Sequence, residues 1–182
     1  MKGRRIIVGL TGGIACYKVA NVVSALAQGG AEVTVAMTDA AQRFITALTL
    51  QALSGRPVYT SQWKHVEASD PQHVALARAA DLMLIAPCSM DMLAKLAIGR
   101  TDDVVSLVAS AVDLERQPIL LAPSMNAVMW GQKSTQRNLE LLRADGFDIV
   151  EPASGWQACR TFGIGRLAEP ETLLAAVTAR LA

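Results

Sequence analysis

The sequence predicts an α/β fold, a doubly wound parallel sheet of the Rossmann or flavodoxin-like type in a single domain. Short and almost continuously apolar runs alternate along the chain with longer segments of helical periodicity. This alternation is typical of parallel strands that helices cover on both faces. The length of 182 residues suits one domain, and no repeat or low-complexity segment interrupts the pattern.

The composition excludes several classes of protein. Apolar residues make up 52% of the chain and charged residues 18%, which is the opposite of a disordered segment and favours an oligomer that buries part of its surface. The net charge is +1 and the basic residues are scattered, so no nucleic-acid partner is predicted. No apolar run approaches the roughly 20 residues of a membrane span. The apolar run at 6–10 is also too short for a signal peptide, so we expect a cytoplasmic protein without a membrane partner.

Metal and disulfide chemistry are not expected either. The three cysteines, Cys16, Cys88 and Cys159, are widely spaced and odd in number, which fits neither a disulfide framework nor a metal-binding knuckle. His65 and His73 are too few for a typical zinc site.

The first half of the chain begins with a strand at residues 5–10, which stops at Thr11-Gly12-Gly13. A helical face starts at Ala15 and ends at two glycines. The remaining predictions for this half are a strand at 32–37, a helix capped by Thr38 that runs through Phe44, a helix at 49–54, and a long surface loop at 55–72.

The second half alternates in the same way and ends with a helix opened by Pro170. Its predicted strands lie at 81–86, 118–122 and 147–150, and its helices at 90–98, from a cap at Asp102 through Val112, at 134–145 and at 170–181. Residues 151–168 contain several glycines and are predicted to be irregular.

In such a sheet, ligands bind at the carboxyl ends of the strands. After the first strand, Gly12, Gly13 and Ile14 can present backbone N–H groups to an anion at a helix N-terminus. The segment is not a P-loop, and the second strand ends at Thr38 rather than at the acidic residue of a dinucleotide site. Glycine count alone leaves an ordinary tight turn equally open, but two neutral donors without an acid suggest a monophosphate.

Other strand ends carry further candidates. Ser89 follows the strand at 81–86 and could simply cap its helix. Segment 123–130, Pro-Ser-Met-Asn-Ala-Val-Met-Trp, could be a turn with Met129 and Trp130 as core residues. Cys159 lies in a polar, glycine-containing loop beside two arginines, which inert packing explains poorly. His73, just before a helix, is by itself more typical of a surface residue or cap.

Together these segments resemble the flavin-dependent cysteine decarboxylases, and most closely the branch that serves coenzyme A biosynthesis. The similarity runs from 12–18, Gly-Gly-Ile-Ala-Cys-Tyr-Lys, to 163–170, Gly-Ile-Gly-Arg-Leu-Ala-Glu-Pro. Segment 123–130 matches the family's Pro-x-Met-Asn-x-x-Met-Trp motif at every fixed position.

This resemblance implies an FMN-dependent carboxy-lyase that converts 4′-phosphopantothenoylcysteine to 4′-phosphopantetheine. The implied route is transient oxidation by FMN to a thioaldehyde, loss of CO2 and re-reduction. The implied catalytic residues are His73, which would handle a proton near the thiol, and Cys159, the proton donor of a substrate-covering flap near 153–168. The implied substrate-binding residues are Asn126, which would grip the carboxylate, and Met129, Ala158 and Arg78. The implied flavin-binding residues are Gly12, Gly13, Ile14, Thr38, Phe44, Ser89, Met90, Asp91 and Ser124.

The chain departs from the family pattern at two places. Arg160 stands where the family usually has glycine, immediately after the flap cysteine, and could alter flap movement. Segment 87–92 reads Pro-Cys-Ser-Met-Asp-Met where many members read Pro-Ala-Ser/Thr-Ala-Asn-Thr, although Ser89 is kept. The resemblance also implies a homotrimer or a multiple of trimers. Since the chain ends at Ala182, it implies a separate phosphopantothenoylcysteine synthetase in the pathway.

Three related activities are alternatives. A peptidyl-cysteine decarboxylase of lantibiotic maturation would keep His73 and the Asn126 segment but typically lacks the cysteine flap. A flavin prenyltransferase shares the fold but lacks the Asn126 motif. Non-catalytic relatives that regulate a phosphatase usually lose a catalytic residue, whereas His73, Asn126 and Cys159 are all present here.

Overall fold

The centre of the molecule is a six-stranded parallel sheet. The computed structural model describes residues 1–64 and 72–182. The six strands are β1 (Arg5–Leu10), β2 (Glu32–Met37), β3 (Val58–Tyr59), β4 (Leu82–Cys88), β5 (Ile119–Pro123) and β6 (Asp148–Ile149). Their order is β3-β2-β1-β4-β5-β6, and all neighbouring strands run parallel. This is the Rossmann order, in which the winding reverses between β1 and β4.

Helices cover both faces of the sheet. They are α1 (Cys16–Gln28), α2 (Ala47–Ser54), α3 (Gln72–Ala79), α4 (Met90–Ala97), α5 (Val104–Ser110), α6 (Ala127–Trp130), α7 (Lys133–Ala144) and α8 (Pro170–Leu181). Residues of α1, α2 and α8 form one hydrophobic core, and residues of α3, α4, α5 and α7 form the other. Strand β1 serves both cores, because Ile6 and Val8 point to the first and Ile7 to the second. Among the described residues, none of the helices has the length and apolar character needed to cross a membrane.

The doubly wound α/β prediction is confirmed, and several element boundaries agree closely. The strands predicted at 5–10 and 32–37 and the helix opened by Pro170 have the predicted bounds. The helix predicted from Thr38 through Phe44 is wrong in detail, because the structure has only a 3-10 turn, Ala41–Arg43, whose N-cap is Ala40. The Thr38 Oγ1 nevertheless accepts from the Ala41 N–H at 3.2 Å.

Two predictions in the middle of the chain are wrong in detail. The loop predicted at 55–72 contains β3, whose two residues are too short to show a strand pattern, and its residues 65–71 lie outside the described part. The cap of α5 is Asp103, whose Oδ1 accepts from the Val105 and Ser106 N–H groups at 2.9 Å each. Asp102, the predicted cap, instead pairs with Lys95 and Arg100.

The prediction that residues 151–168 are irregular is also wrong. They contain an antiparallel hairpin of β7 (Ala153–Trp156) and β8 (Phe162–Arg166). Gly155, Gly163 and Gly165 dilute the strand signal, because glycine is disfavoured in strands unless close backbone approach requires it. The hairpin forms its own two-stranded sheet beside α6.

Candidate active site

The carboxyl ends of β1 and β4 are joined by one buried hydroxyl. Thr11 Oγ1 donates to the Pro87 carbonyl at 2.6 Å and accepts from the Ser89 N–H at 2.9 Å. The Thr11 N–H also donates to the Pro87 carbonyl, at 3.3 Å. These bonds hold the two loops together at the point where the winding reverses, which is where this fold binds ligands.

The glycine loop after Thr11 presents backbone donors. Within the described residues, the N–H groups of Gly12, Gly13 and Ile14 have no protein acceptor, whereas the Cys16 N–H bonds back to the Gly13 carbonyl at 3.1 Å. Gly12 is required by packing, because a Cβ there would lie 2.6 Å from the Ala40 Cβ. The loop is therefore held close to the sheet with donors free at the start of α1, an arrangement that favours an anion.

A cavity of about 540 Å³ opens at this loop. Its floor combines two hydroxyl-bearing residues, Ser89 and Ser124, with the thioethers of Met90, Met125 and Met129. Ser89 caps α4 by accepting from the Met92 N–H at 3.2 Å, so the capping interpretation of Ser89 is also correct.

The β7–β8 hairpin forms the opposite wall, and its attachment explains two glycines. Gly165 has φ +127°, and a Cβ there would lie 2.4 Å from the Met125 carbonyl oxygen. The Met125 N–H donates to the Gly165 carbonyl at 2.9 Å. A Cβ on Gly163 would lie 2.7 Å from that of Ala127. The hairpin thus rests directly on segment 123–130, which carries the Pro-x-Met-Asn-x-x-Met-Trp motif.

Asn126 begins α6, and its amide is oriented by this role. Its Oδ1 accepts from the Met129 N–H at 2.8 Å. Because the oxygen is engaged, the amide NH2 is the group left to meet a ligand, and Asn126 lines the cavity. An amide NH2 donates to a carboxylate without neutralising its charge.

The turn at 157–161 joins the two hairpin strands and carries Cys159. Cys159 is exposed and lines the cavity, and its Sγ lies 3.0 Å from Thr161 Oγ1. The other two cysteines are buried, and burial raises the pKa of the Cys16 thiol to about 11 and that of the Cys88 thiol well above its ordinary value. Cys159 is therefore the accessible thiol of the three.

Arg160 occupies a left-handed backbone conformation, with φ +63°. A non-glycine residue there has its Cβ close to the following carbonyl, whereas glycine has no such penalty. This geometry accounts for the glycine that the resembling family usually has at this position.

An ion network connects α1 with the end of β8 beside the cavity. Lys18, which is mostly buried, donates to Glu169 at 2.8 Å, and Arg166 donates to the same carboxylate at 2.9 Å. The Lys18 hydrogen bond is the main reason why the pKa of the Glu169 carboxyl lies below its ordinary value. Lys18 and Arg166 line the cavity, so they add positive charge to it that Glu169 only partly offsets.

The cavity brings together most of the predicted site residues but not all. Those that line it are Gly12, Gly13, Ile14, Ser89, Met90, Ser124, Asn126, Met129, Ala158 and Cys159. Those that do not are Thr38, Phe44, His73, Arg78 and Asp91. The roles assigned to all of these residues stay predictions.

Each of the five outlying residues has a visible local environment. The Thr38 hydroxyl accepts from the Ala41 N–H, Phe44 is half-exposed, and Asp91 pairs with Lys95 at 3.2 Å. His73 and Arg78 lie on α3, whose first turn holds His73. The described residues of a single copy therefore place no imidazole in the cavity.

Sequence reasoning missed nine residues that line the cavity, namely Ala15, Tyr17, Lys18, Met125, Trp156, Gln157, Gly165, Arg166 and Leu167. Gln157 is buried although both neighbours in the chain are exposed. No local pattern marks such a residue, because its burial comes from the docking of the hairpin on α6.

A second cavity of about 540 Å³ lies between α3 and the first residues of β1 and β2. Its charged side chains satisfy one another, since Glu32 pairs with Arg5 at 3.7 Å and with Arg56 at 3.3 Å. None of the predicted site residues lines it. The cavity at the switch point is therefore the candidate active site.

A model of the Flavoprotein family matches residues 1–182, the whole chain. The chain belongs to the Flavoprotein family. This flavoprotein is 42% identical, over 98% of its length, to Coenzyme A biosynthesis bifunctional protein CoaBC of Haemophilus influenzae, and 41% identical, over 96%, to the protein of that name from Escherichia coli K12. The matches cover 44% and 42% of those proteins, so the chain spans less than half the length of these curated relatives.

Solved structures agree over nearly the whole fold. A PPC decarboxylase mutant complexed with pantothenoylaminoethenethiol matches with a TM-score of 0.86 and 27% identity, over 98% of both chains. The FMN binding protein AtHal3 matches with a TM-score of 0.83 and 27% identity, over 98% of this flavoprotein and 96% of that chain. The FMN-dependent cysteine decarboxylase SpaF matches with a TM-score of 0.81 and 29% identity, over 98% of both chains.

Proposed function

We propose that this flavoprotein is an FMN-dependent decarboxylase of 4′-phosphopantothenoylcysteine, which forms 4′-phosphopantetheine for coenzyme A biosynthesis. The observation that carries the proposal is the meeting of Asn126, Cys159 and the glycine loop in one cavity. The curated CoaBC relatives and the PPC decarboxylase structure support this choice of substrate.

The residues of the cavity fit FMN. The unpaired N–H groups of Gly12, Gly13 and Ile14 suit a phosphate, and a Cβ on Gly13 would meet only an ordinary contact, 3.7 Å from Pro87. The thioethers of Met90 and Met125 suit a flat aromatic ring system, with Ser89 and Ser124 as polar neighbours. In our proposal these residues hold the cofactor, with its phosphate at the glycine loop.

Decarboxylation requires an electron sink that the substrate itself lacks. Bound FMN would supply a reversible two-electron oxidation of the sulfur-bearing carbon, which would place the carboxylate β to a C=S group and let it leave as CO2. The protein must then orient the carboxylate, exclude water and provide a proton.

Asn126 and Cys159 suit the first and last of these tasks. The Asn126 NH2 would hold the carboxylate in place as a neutral donor, which avoids the ground-state stabilisation that a cation would bring. The Cys159 thiol lies on the hairpin turn over the cavity, where it can give a proton to the fragment left after CO2 departs. The hairpin would cover the reacting atoms and keep water away from them.

The predicted role of His73 implies more than one copy of the chain. His73 does not line the cavity of its own chain, so it could act only if a neighbouring copy brings its α3 to this site. We therefore include the homotrimer in the proposal. Exposed apolar side chains around the cavity, Ile14, Tyr17, Val128, Trp156 and Phe162, supply surface for such an assembly.

The proposal also places the protein in its pathway. A separate synthetase would join cysteine to phosphopantothenate and so supply the substrate. The three free cysteines are consistent with the proposed cytoplasmic location, where thiols stay reduced.

One assay tests the proposed function. The FMN-loaded protein is incubated with 4′-phosphopantothenoylcysteine, and the products are followed by mass spectrometry. We expect loss of CO2 and formation of 4′-phosphopantetheine. A peptide that ends in cysteine serves as the comparison substrate, because preferential turnover of the peptide would replace the proposal with a peptidyl-cysteine decarboxylase.

A further inference from the structure

The hairpin turn contains one buried polar side chain among exposed residues. Gln157 is 6% exposed, whereas residues 158–162 are all exposed. Its amide spans the hairpin, since Nε2 donates to the Ile164 carbonyl at 3.1 Å and Oε1 accepts from the Ala127 N–H at 3.1 Å. Ala127 directly follows Asn126, so this amide ties the turn to the segment that carries the proposed carboxylate ligand.

The same amide oxygen faces the reactive thiol. Cys159 Sγ lies 3.6 Å and Thr161 Oγ1 lies 3.4 Å from Gln157 Oε1, and the two side chains lie 3.0 Å from each other. The three groups form a closed triangle of hydrogen-bonding atoms. The backbone supports it, because the Gln157 N–H donates to the Thr161 carbonyl at 2.8 Å.

We propose that Gln157 and Thr161 are positioning residues that control the proton of Cys159, an inference that rests on the proposed function. An amide oxygen can only accept, so Gln157 stabilises the thiol while it carries its proton. A hydroxyl can also donate, so Thr161 turns its O–H towards sulfur once the proton has left. Gln157 thus keeps Cys159 protonated before the proton transfer, and Thr161 stabilises the Cys159 thiolate after it.

The proton balance is simple. The Cys159 S–H bond breaks, the proton moves to the substrate fragment left after CO2 departs, and the Cys159 thiolate later recovers a proton from water. The two electrons of the redox step come from the flavin of the proposed function and involve neither positioning residue.

The charged groups near this triangle are paired or screened, so neutral hydrogen bonds can control the proton of Cys159. Lys18 of α1 and Arg166 of β8 line the same cavity, but both pair with Glu169. Arg160 follows Cys159 in the turn and is exposed, so water screens its charge. Within the described residues, the thiol makes its direct hydrogen bonds by donating to Gln157 Oε1 and by pairing with Thr161 Oγ1.

Thiol alkylation in the FMN-loaded protein tests the inference without any substrate. Cys16 and Cys88 are buried, so the rate of iodoacetamide labelling reports Cys159. In Thr161→Val the thiolate loses its donor, and we expect the pH of half-maximal labelling to rise by about one unit. In Gln157→Leu the protonated thiol loses its acceptor, and we expect that pH to fall. Thr161→Ser keeps the hydroxyl and should restore the wild-type profile.

Turnover provides the second readout. If the decarboxylation assay succeeds, Thr161→Val should lower kcat about tenfold with little change in KM, since it alters proton transfer rather than binding. Thr161 is exposed, so this variant should fold even if Gln157→Leu loosens the hairpin. Identical labelling profiles in wild type and Thr161→Val would overturn the inference. Because labelling needs no substrate, that result leaves the proposed function intact.

Discussion

The two walls of the cavity differ in what holds them. The loops after β1 and β4 continue the buried strands of the sheet, and the buried side chain of Thr11 joins them through its hydrogen bonds to Pro87 and Ser89. The β7–β8 hairpin lies outside that sheet and is attached through close glycine packing and the amide of Gln157. The comparison teaches that the loops proposed to hold the cofactor share the stability of the core. The proposed proton donor, Cys159, instead lies on a hairpin whose attachment is local.

The largest effect should come from the thiol of the hairpin. We expect Cys159→Ser to lower formation of saturated product by roughly 100-fold or more, because a serine hydroxyl is a much weaker acid than a thiol. Product analysis by mass spectrometry measures this loss, and flavin absorbance should stay unchanged because the other wall is untouched. Full-rate formation of saturated product by this variant would remove Cys159 from the mechanism.

Substitution of Gly165 should detach the hairpin. In Gly165→Ala, the positive φ and the new contact with the Met125 carbonyl should cost roughly 3 kcal/mol. We expect faster proteolysis of the hairpin and lower activity while flavin remains bound. Gly131→Ala is the matched control, since its Cβ would meet only ordinary contacts, the nearest at 3.5 Å. If Gly165→Ala released flavin as fast as its hairpin is cleaved, the two walls of the cavity would not be independently stable, which contradicts the prediction.

A smaller loss is expected at the core-linked wall. Thr11→Val keeps the shape of the side chain but removes the two hydrogen bonds of its hydroxyl, to the Pro87 carbonyl and the Ser89 N–H, which should cost about 2 kcal/mol. Global thermal unfolding should shift down together with flavin affinity, and the rate of hairpin proteolysis should not change. Thr11→Ser retains the hydroxyl and should behave almost like wild type, so an equal loss in both variants would point to the methyl group instead.

The smallest expected effect is a gain in the stability of the hairpin turn. Arg160→Gly relieves the left-handed backbone at φ +63° and should stabilise the turn by up to about 1 kcal/mol. The slower hairpin proteolysis of this variant is the expected readout. Arg160→Ala removes the charge but keeps the backbone penalty, so equal behaviour of the two variants would assign the effect to charge.

The elements with strong local patterns were predictable. The apolar runs of β1 and β2 and the proline that opens α8 have the predicted bounds, because periodicity and capping act over a few residues. The hairpin was not predictable from such signals. Its strands have four and five residues, and the two glycines of the second strand are explained by Ala127 and Met125, about 40 residues earlier in the chain.

The candidate site was likewise predictable only in part from the sequence. The motif at 123–130 and the glycine loop marked strand ends that meet at one cavity, which Asn126, Cys159 and Gly12 line. Thr38 and Asp91 do not line it, and their flavin-binding roles stay predictions; the Thr38 hydroxyl accepts from the Ala41 N–H and Asp91 pairs with Lys95. Such engagements depend on which partner lies within hydrogen-bonding distance, and that information is not local.

The sequence by itself determined the alternation of strands and helices and the presence of an amide, a thiol and a glycine loop at strand ends, since each depends on residue type and near neighbours. The tertiary structure alone decided the Rossmann strand order, the burial of Gln157 and the hydrogen bond of its amide with the Ala127 N–H. The physical reason is that burial and hydrogen bonding between distant segments arise only when the whole chain packs, and no window of sequence contains both partners.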